Sequence, residues 1–346
     1  MEVYLQSFGA RLRVKDGLFE VIVPDLSGSN HHVTEQFAAH QVRTILMQSG
    51  TSVSSDALLL ALEHGADVLI LDGFGHPVGR LWSNRPSTTL SIWKNQLSLS
   101  LHPQALAIAK DWVEAKIRER HRYLRKLKAY RSGEKLALIE KAEAGIGELL
   151  TRLHALTVGP DREKAAAAIR GIEGAAGRLY HDTLGALLPE DQPYNGRSKR
   201  PAKDLFNAFL NYGYGILYRI VERALLLAGI HPYIGFMHYD GYQRKSMVFD
   251  FVEPFRIWVE KTVFRLFAGK QTSSKHCAPA PGQPEGLWLN EDGKRLLTDA
   301  LQQRMRRKKK ESGGRRFPLE QYLMEEARKF AALVLQWTPH PQRAVA

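Results

Sequence analysis

A single cysteine, Cys277, stands among 346 residues. The chain can therefore close no internal disulfide and hold no cysteine-based zinc site. Long apolar runs are missing too. Stretches such as Ala57–Leu62 and Ala224–Ile230 fall far short of the ~20 residues that a spanning helix needs. The opening residues, MEVYLQSFGARLRV, lack the basic-then-apolar order of a secretory signal. These absences lead to the expectation of a soluble cytoplasmic protein. The patterns G-x-x-x-x-G-K-[ST], H-E-x-x-H and G-x-S-x-G do not occur, so P-loop, zincin and nucleophile-elbow chemistry are not indicated. Gly73–Gly79 has glycines at the wrong spacing for a dinucleotide loop, with Pro77 inside, and predicts a β-turn. Acids are also in short supply. Asp plus Glu number 36 against 49 Lys plus Arg, a formal charge of +13. Such a surplus fits a polyanionic partner, nucleic acid or an anionic membrane.

What is present suggests a globular chain of about two domains. Apolar residues make up 44% and charged residues 25%, enough for a packed core. The first third predicts strands: Arg11–Lys15, a turn at Asp16-Gly17, Leu18–Val23, Val42–Met47, Val68–Leu71 and Val78–Trp82. One short helix, Asp56–His64, is bracketed by Ser54 or Ser55 and Gly65. From about Leu101 the period becomes helical, with Ala109, Val113, Ile117, Leu124 and Leu127 near one stripe. Further helices are predicted over Lys135–Thr157, Arg162–Leu188, Lys203–Gly229, Asp250–Phe267, Glu291–Lys309 and Pro318–Gln336, with Cys277–Gly286 as a loop. The expected class is α+β. A small N-terminal β-rich domain over residues 1–90, β-sandwich-like with one short helix, precedes a larger all-α domain over residues 91–346.

The positive charge is clustered. Lys116, Arg118, Arg120, Arg122, Arg125, Lys126, Lys128 and Arg131 face Glu119 alone within their stretch. Arg304–Arg316 holds eight more bases against Glu311, with a centre expected to be mobile, and Arg197, Lys199, Arg200 and Lys203 form a third group. Any one cluster reads equally well as a solvated helix face. Three together favour a phosphate-backbone surface. No basic helix carries a Trp/Phe/Leu insertion face, which weakens the membrane reading.

Three segments could carry chemistry. In Arg170–Tyr180 (RGIEGAAGRLY), Gly171, Gly174 and Gly177 flank Glu173. Helical glycines are costly, so something approaches that face closely: a neighbouring helix, or a metal or phosphate beside Glu173. His238 ends the apolar stretch Ile234–Met237 and reads either as a core or capping residue or as a ligand. Asp250 and Glu253 are spaced i,i+3 among Phe249, Phe251, Val252 and Phe255. They complement a helix N-terminus, with Pro254 in its first turn, or they form part of a site. Together these groups could supply an oxygen-and-imidazole site for Mg²⁺ or Mn²⁺. Beside basic clusters, such a site suits phosphodiester chemistry.

The order and spacing of GIEGAAGRLY around Glu173, Arg200–Asn207 (RPAKDLFN) running into Asn211–Tyr214, the H-Y-D from His238, and Asp250–Arg256 (DFVEPFR) resemble one family over about the whole chain. That family is the integrase/endonuclease of CRISPR adaptation, CRISPR-associated protein one. The resemblance implies a metal-dependent homodimer, two of which flank a dimer of a small ferredoxin-like partner, CRISPR-associated protein two. It implies insertion of short double-stranded DNA fragments into a repeat array by two transesterifications. By motif, Glu173, His238 and Glu253 would hold the metal, with Asp250 as a supporting acid. Glu253 stands where some relatives have Asp. Arg178, Arg197, Lys199, Arg200, Lys203, Arg244, Lys245 and Arg256 become phosphate-contact candidates. Tyr239 and Tyr242 could stack on DNA, whereas Tyr212 and Tyr214 fit core packing better. A transposon-type integrase and a non-catalytic basic architectural protein are the alternatives.

Overall fold

The computed structural model describes residues 1–24, 32–83, 87–159, 161–194, 196–238, 242–280, 282–310 and 316–338. It divides into two compact units, Met1–Ser87 and Thr88–Ala346.

The first unit holds two four-stranded sheets. Strands β1 (Glu2–Leu5), β2 (Arg11–Lys15), β3 (Leu18–Pro24), β4 (His32–Ala38), β5 (Thr44–Gln48) and β6 (Ser52–Val53) precede helix α1 (Ser55–Glu63). Strands β7 (Asp67–Leu71) and β8 (Pro77–Leu81) follow it. One sheet runs β1-β5-β7-β8, the other β4-β3-β2-β6. Asp16 and Gly17 both take positive φ, 52° and 75°, the geometry that a tight hairpin turn requires. Strands β5 and β7 pair in parallel, and α1 supplies part of the crossover that parallel pairing demands. Ser54 caps α1 by accepting from the Ala57 amide at 3.2 Å. The Asp72–Gly75 turn forms as expected, with the Gly75 amide donating to the Asp72 carbonyl at 3.0 Å. Residues of both sheets, among them Val3, Leu5, Leu12, Phe19, Ile45 and Val68, share one core with Ala57 and Ala61 of α1.

The second unit is mainly helical. Its helices are α2 (Thr89–Leu101), α3 (Pro103–Lys128), α4 (Gly133–Ala155), α5 (Arg162–Ala186), α6 (Leu205–Leu227), α7 (Ser246–Phe251), α8 (Arg256–Ala268), α9 (Glu291–Met305) and α10 (Leu319–Gln336). It is not all-α, as the sequence led one to expect. Cys277–Ala280 (β9) and Gln283–Leu289 (β10) form an antiparallel hairpin where a loop was expected. Proline weighs against a central strand, but a two-stranded ribbon consists only of edges, and Pro279 is tolerated there. A short ribbon also joins Lys308–Lys310 (β11) to Arg316–Pro318 (β12) within the C-terminal basic segment. The centre of that segment, 311–315, lies outside the described residues.

The long helix α3 organises this unit. Ala105, Leu106, Ala109, Val113, Ile117 and Leu124 of its apolar stripe are buried. Lys116 and Arg120 lie in phase with that stripe and are only 2% and 5% exposed. A buried cation needs a counter-charge, and α3 finds two on the chain segment 253–260. The expected single helix over 250–267 is accordingly broken. Asp250 lies near the end of α7, a 3₁₀ turn covers Glu253–Phe255, and α8 begins at Arg256. Among the described residues no helix is long and apolar enough to cross a membrane.

Candidate active site

Lys116 joins two of the predicted residues. Its Nζ donates to Glu173 Oε1 of α5 at 2.5 Å and also to Glu253 Oε2. Glu253 is buried, while the Glu173 side chain keeps 28% of its surface in solvent. The other Glu253 oxygen, Oε1, accepts from Arg256 Nε at 2.9 Å. Burial opposes ionisation of Glu253, but Arg256 and Lys116 outweigh it and hold the carboxyl well below the usual carboxylate range. Arg256 in turn donates to the Tyr218 hydroxyl at 2.7 Å and lies over the rings of Tyr214 and Tyr218, 5.1 and 5.3 Å from their centroids.

Asp250 has different neighbours. Its Oδ2 accepts from the Phe236 and Met237 amides at 2.6 and 3.0 Å. Its Oδ1 accepts from the His238 amide at 3.1 Å and lies 2.5 Å from His238 Nδ1. A carboxylate that already receives three N–H groups fixes Nδ1 as the protonated nitrogen of the ring and leaves Nε2 with the lone pair. Gly235 makes this approach possible. A Cβ there would stand 2.5 Å from Ser246 Cβ and 3.1 Å from Asp250 Oδ2. Asp250 and Glu253, paired by spacing in the sequence, thus serve two separate tasks. Asp250 shapes the 235–238 segment, and Glu253 meets Glu173 across Lys116.

The predicted metal set is not gathered into one cluster. Among the described residues no three His, Cys, Asp or Glu side chains come together as a metal site would require. What converges is a pair of carboxylates on one ammonium. The donor chemistry nevertheless fits a hard cation, because two anionic oxygens already hold a positive charge between them.

Beside His238 lies a cavity of about 550 Å³, lined by Leu101, Arg162, Arg170, Phe236, Met237 and Arg244 among others. Arg162 donates to the carbonyl oxygens of Ser100 and Phe236. Arg170 pairs with Glu163 at 2.9 Å. Elsewhere on α5, a Cβ on Gly171 or Gly174 would meet nothing within 4 Å. These glycines do not serve helix packing: they lie on the exposed face of α5, turned away from the Glu173 side chain. Gly177 faces the Arg120 side chain.

The basic candidates divide by environment. Arg178, Lys199, Arg200, Lys203 and Arg244 are exposed. Arg197 is half-buried and donates to Asn207 and Asn211 of α6 at 2.8 and 2.6 Å. Lys245 pairs with Glu222 at 2.6 Å, and Arg256 belongs to the Glu253 network. The Lys116–Arg131 cluster, open in sequence to either a solvated face or a phosphate surface, is not uniform. Lys116 and Arg120 are buried, and Arg125 and Lys128 meet acids of α4, Glu143 at 3.4 and 3.0 Å respectively. Tyr212 and Tyr214 pack in the core as expected. Tyr242 is 94% exposed, and Tyr239 lies outside the described residues.

Sequence reasoning missed a second buried network below the first. Arg120 donates to Glu260 from Nε at 3.2 Å and from Nη2 at 2.5 Å, and the Tyr214 hydroxyl donates to Glu260 at 2.8 Å. His181 Nε2 lies 3.4 Å from Arg120. A signal for these residues existed. Lys116 and Arg120 fall on the apolar stripe of α3, and Glu260 interrupts an otherwise apolar face of α8.

The sequence matches the family of CRISPR associated protein Cas1 over residues 3–303. "CRISPR-associated endonuclease Cas1 1" of Archaeoglobus fulgidus is 30% identical over 88% of this chain and 88% of its own length. Two solved structures share the fold. "Casposase bound to integration product" has a TM-score of 0.73 at 20% identity, covering 96% of this chain and 95% of the other. "Partial Cas6-RT-Cas1--Cas2 complex" has a TM-score of 0.73 at 21% identity over the same shares. With the family matched across most of its length, the chain belongs to the Cas1 family of CRISPR associated proteins.

Proposed function

We propose that this protein is a metal-dependent DNA endonuclease and integrase that joins short double-stranded fragments to a CRISPR repeat array. The observation that carries the reading is the convergence of Glu173 and Glu253 on one cationic position. Family membership supports the integrase class. A relative named as an endonuclease and a fold neighbour bound to an integration product agree with it.

In this reading Glu173 and Glu253 would hold Mg²⁺ or Mn²⁺, His238 would join them through Nε2 once brought to the same ion, and Asp250 keeps the imidazole in the required tautomer. When bound, the metal supplies a Lewis acid that polarises a phosphoryl oxygen and stabilises developing charge. The chain's own residues supply the rest. Arg256 keeps Glu253 ionised. Arg244 and Arg170 beside the cavity offer phosphate contacts, as do Arg178, Lys199, Arg200 and Lys203 at the surface. The 3′-hydroxyl oxygen of a fragment forms a bond to a repeat phosphorus while the P–O3′ bond of the repeat breaks, and the proton passes to the departing 3′ oxygen. One ester is exchanged for another, so no nucleotide hydrolysis is required, in keeping with the missing P-loop. The active form is a homodimer that works with the small ferredoxin-like partner, Cas2. A fold neighbour that is itself a Cas1–Cas2 complex supports that pairing.

The test is strand transfer of a short duplex into a repeat-bearing plasmid, with Mg²⁺ or Mn²⁺ and with and without the partner. Glu173→Ala, His238→Ala and Glu253→Ala are expected to abolish joining, as is chelation. Full joining by Glu173→Ala sinks the site. Joining that ignores the repeat sequence would instead favour a transposon-type integrase, the reading that the casposase neighbour keeps in view.

A further inference from the structure

Lys116 occupies the place that a metal bound by Glu173 and Glu253 would need. Its Nζ lies 2.5 Å from Glu173 Oε1 and within hydrogen-bond distance of Glu253 Oε2. A magnesium ion sits about 2.0–2.1 Å from its oxygen ligands, so ammonium and metal cannot share the position. Charge gives the same answer. With Lys116 and Arg256 in place, two cations balance the two carboxylates. Adding a divalent ion to that arrangement would leave an excess of two positive charges in a site where Lys116 and Glu253 are each only 2% exposed. If the ammonium moves out, the excess falls to one, the charge that a single phosphate diester carries.

Lysine is suited to such a part. Its ammonium is a compact point charge on a flexible four-carbon stem and commits to no bidentate geometry. The contrast lies one turn further along the same helix, where Arg120 is locked to Glu260 through Nε and Nη2. A way out is also at hand, because the Glu173 side chain keeps 28% of its surface in solvent.

We propose that Lys116 is an exchangeable internal cation: it holds Glu173 and Glu253 together in the metal-free protein and is displaced toward the α5 surface when a divalent metal enters. The inference rests on the metal reading given above. It assigns Lys116 as a positioning residue that sets how tightly the metal binds.

The experiment measures Mn²⁺ binding to the full chain without DNA, by the loss of the free Mn²⁺ resonance in electron paramagnetic resonance. Wild type, Lys116→Met, Lys116→Arg and Glu173→Ala are compared. Lys116→Met removes the competitor while keeping the stem, and should bind Mn²⁺ at least tenfold more tightly than wild type. Lys116→Arg restores a competing cation and should return affinity to the wild-type range or below. A second measurement needs no variant at position 116. In wild type, acetylation of Lys116 by an N-hydroxysuccinimide ester, read by mass spectrometry, should rise several-fold on adding Mn²⁺ and stay low with Glu173→Ala. Glutamate-dependent Mn²⁺ binding with unchanged Lys116→Met affinity and unchanged Lys116 acetylation overturns the exchange and leaves the metal site standing. Failure of wild type and Lys116→Met alike to bind Mn²⁺ overturns both.

Discussion

His238 and Asp250 are joined twice: the ring Nδ1 lies 2.5 Å from Asp250 Oδ1, and the His238 backbone amide donates to the same oxygen at 3.1 Å. The carboxylate therefore fixes the chain path and the imidazole tautomer at once. Asp250→Asn keeps the shape but presents an amide that can turn the wrong way. Strand transfer should fall by about 10–100-fold, the usual cost of losing such a supporting partner, with little change in Tm. Asp250→Ala leaves the amides of residues 236–238 without their acceptor, and thermal unfolding should show it to be clearly less stable.

The two glutamates that meet on Lys116 should separate in stability, although replacing either is expected to abolish joining. Glu253→Ala leaves Lys116 and Arg256 without their shared buried acid, and breaking a buried pair costs about 3–5 kcal/mol. Glu173→Ala removes a part-exposed partner and leaves Lys116 with Glu253. Urea unfolding should place Glu253→Ala well below wild type and Glu173→Ala close to it.

Gly171 and Gly174 weaken α5, and nothing packs where their Cβ atoms would be. Gly174→Ala should stabilise the fold by about 0.5–1 kcal/mol. Gly174→Leu should fold equally well but lose DNA affinity and strand transfer, because its side chain stands on the exposed face of α5 between Arg170 and Arg178. Gel-shift titration beside calorimetry checks both outcomes.

The second buried network makes stability depend on acid. Burial, with the Arg120 charge beside it, pushes the His181 pKa down to about 3. The unfolded chain therefore takes up a proton below about 6.5 that the native protein refuses, and stability falls as the pH drops from there toward 3. Burial would raise Glu260, but Arg120 outweighs it and lowers the carboxyl to about 2. Its contribution is complete above its unfolded value, 4.5, and is lost on further acidification. Urea midpoints should drop between pH 7 and pH 5, and His181→Gln should flatten that drop while sparing the loss below pH 4.5.

The exposed bases near α6 should govern salt dependence, whereas Arg197 should govern folding. Neutralising Lys199, Arg200 and Lys203 together should make the plot of log affinity against log salt shallower by up to about 1 per charge. Arg197→Ala should lower Tm through its lost bonds to Asn207 and Asn211. An unchanged salt slope in the triple variant would remove this cluster from the DNA surface.

Periodicity and turn chemistry carried most of the architecture. Ser54, Gly65 and Asp16-Gly17 mark their elements through backbone requirements that hold wherever the chain lies. The β9–β10 hairpin escaped because Pro279 argues against a strand, and only the finished ribbon shows that Pro279 needs no inner partner. Lys116 and Arg120 escaped for a related reason. In a run of eight bases they resemble their solvated neighbours, and their acids lie 57 to 140 residues away along the chain. The glycines around Glu173 pointed to a close approach, yet sequence alone could not separate a packed helix from an open face.

The pairing of Arg120 with Glu260 also bears on how the sequence can drift. Losing either residue alone strands a charge at about 3–5 kcal/mol, a large part of the roughly 5–15 kcal/mol that holds a domain folded. Replacing both with apolar side chains of matching volume avoids that intermediate penalty. Across relatives, the two positions should therefore change together or stay fixed together. A chain with a neutral residue at one of them should carry the compensating change at the other, 140 residues away.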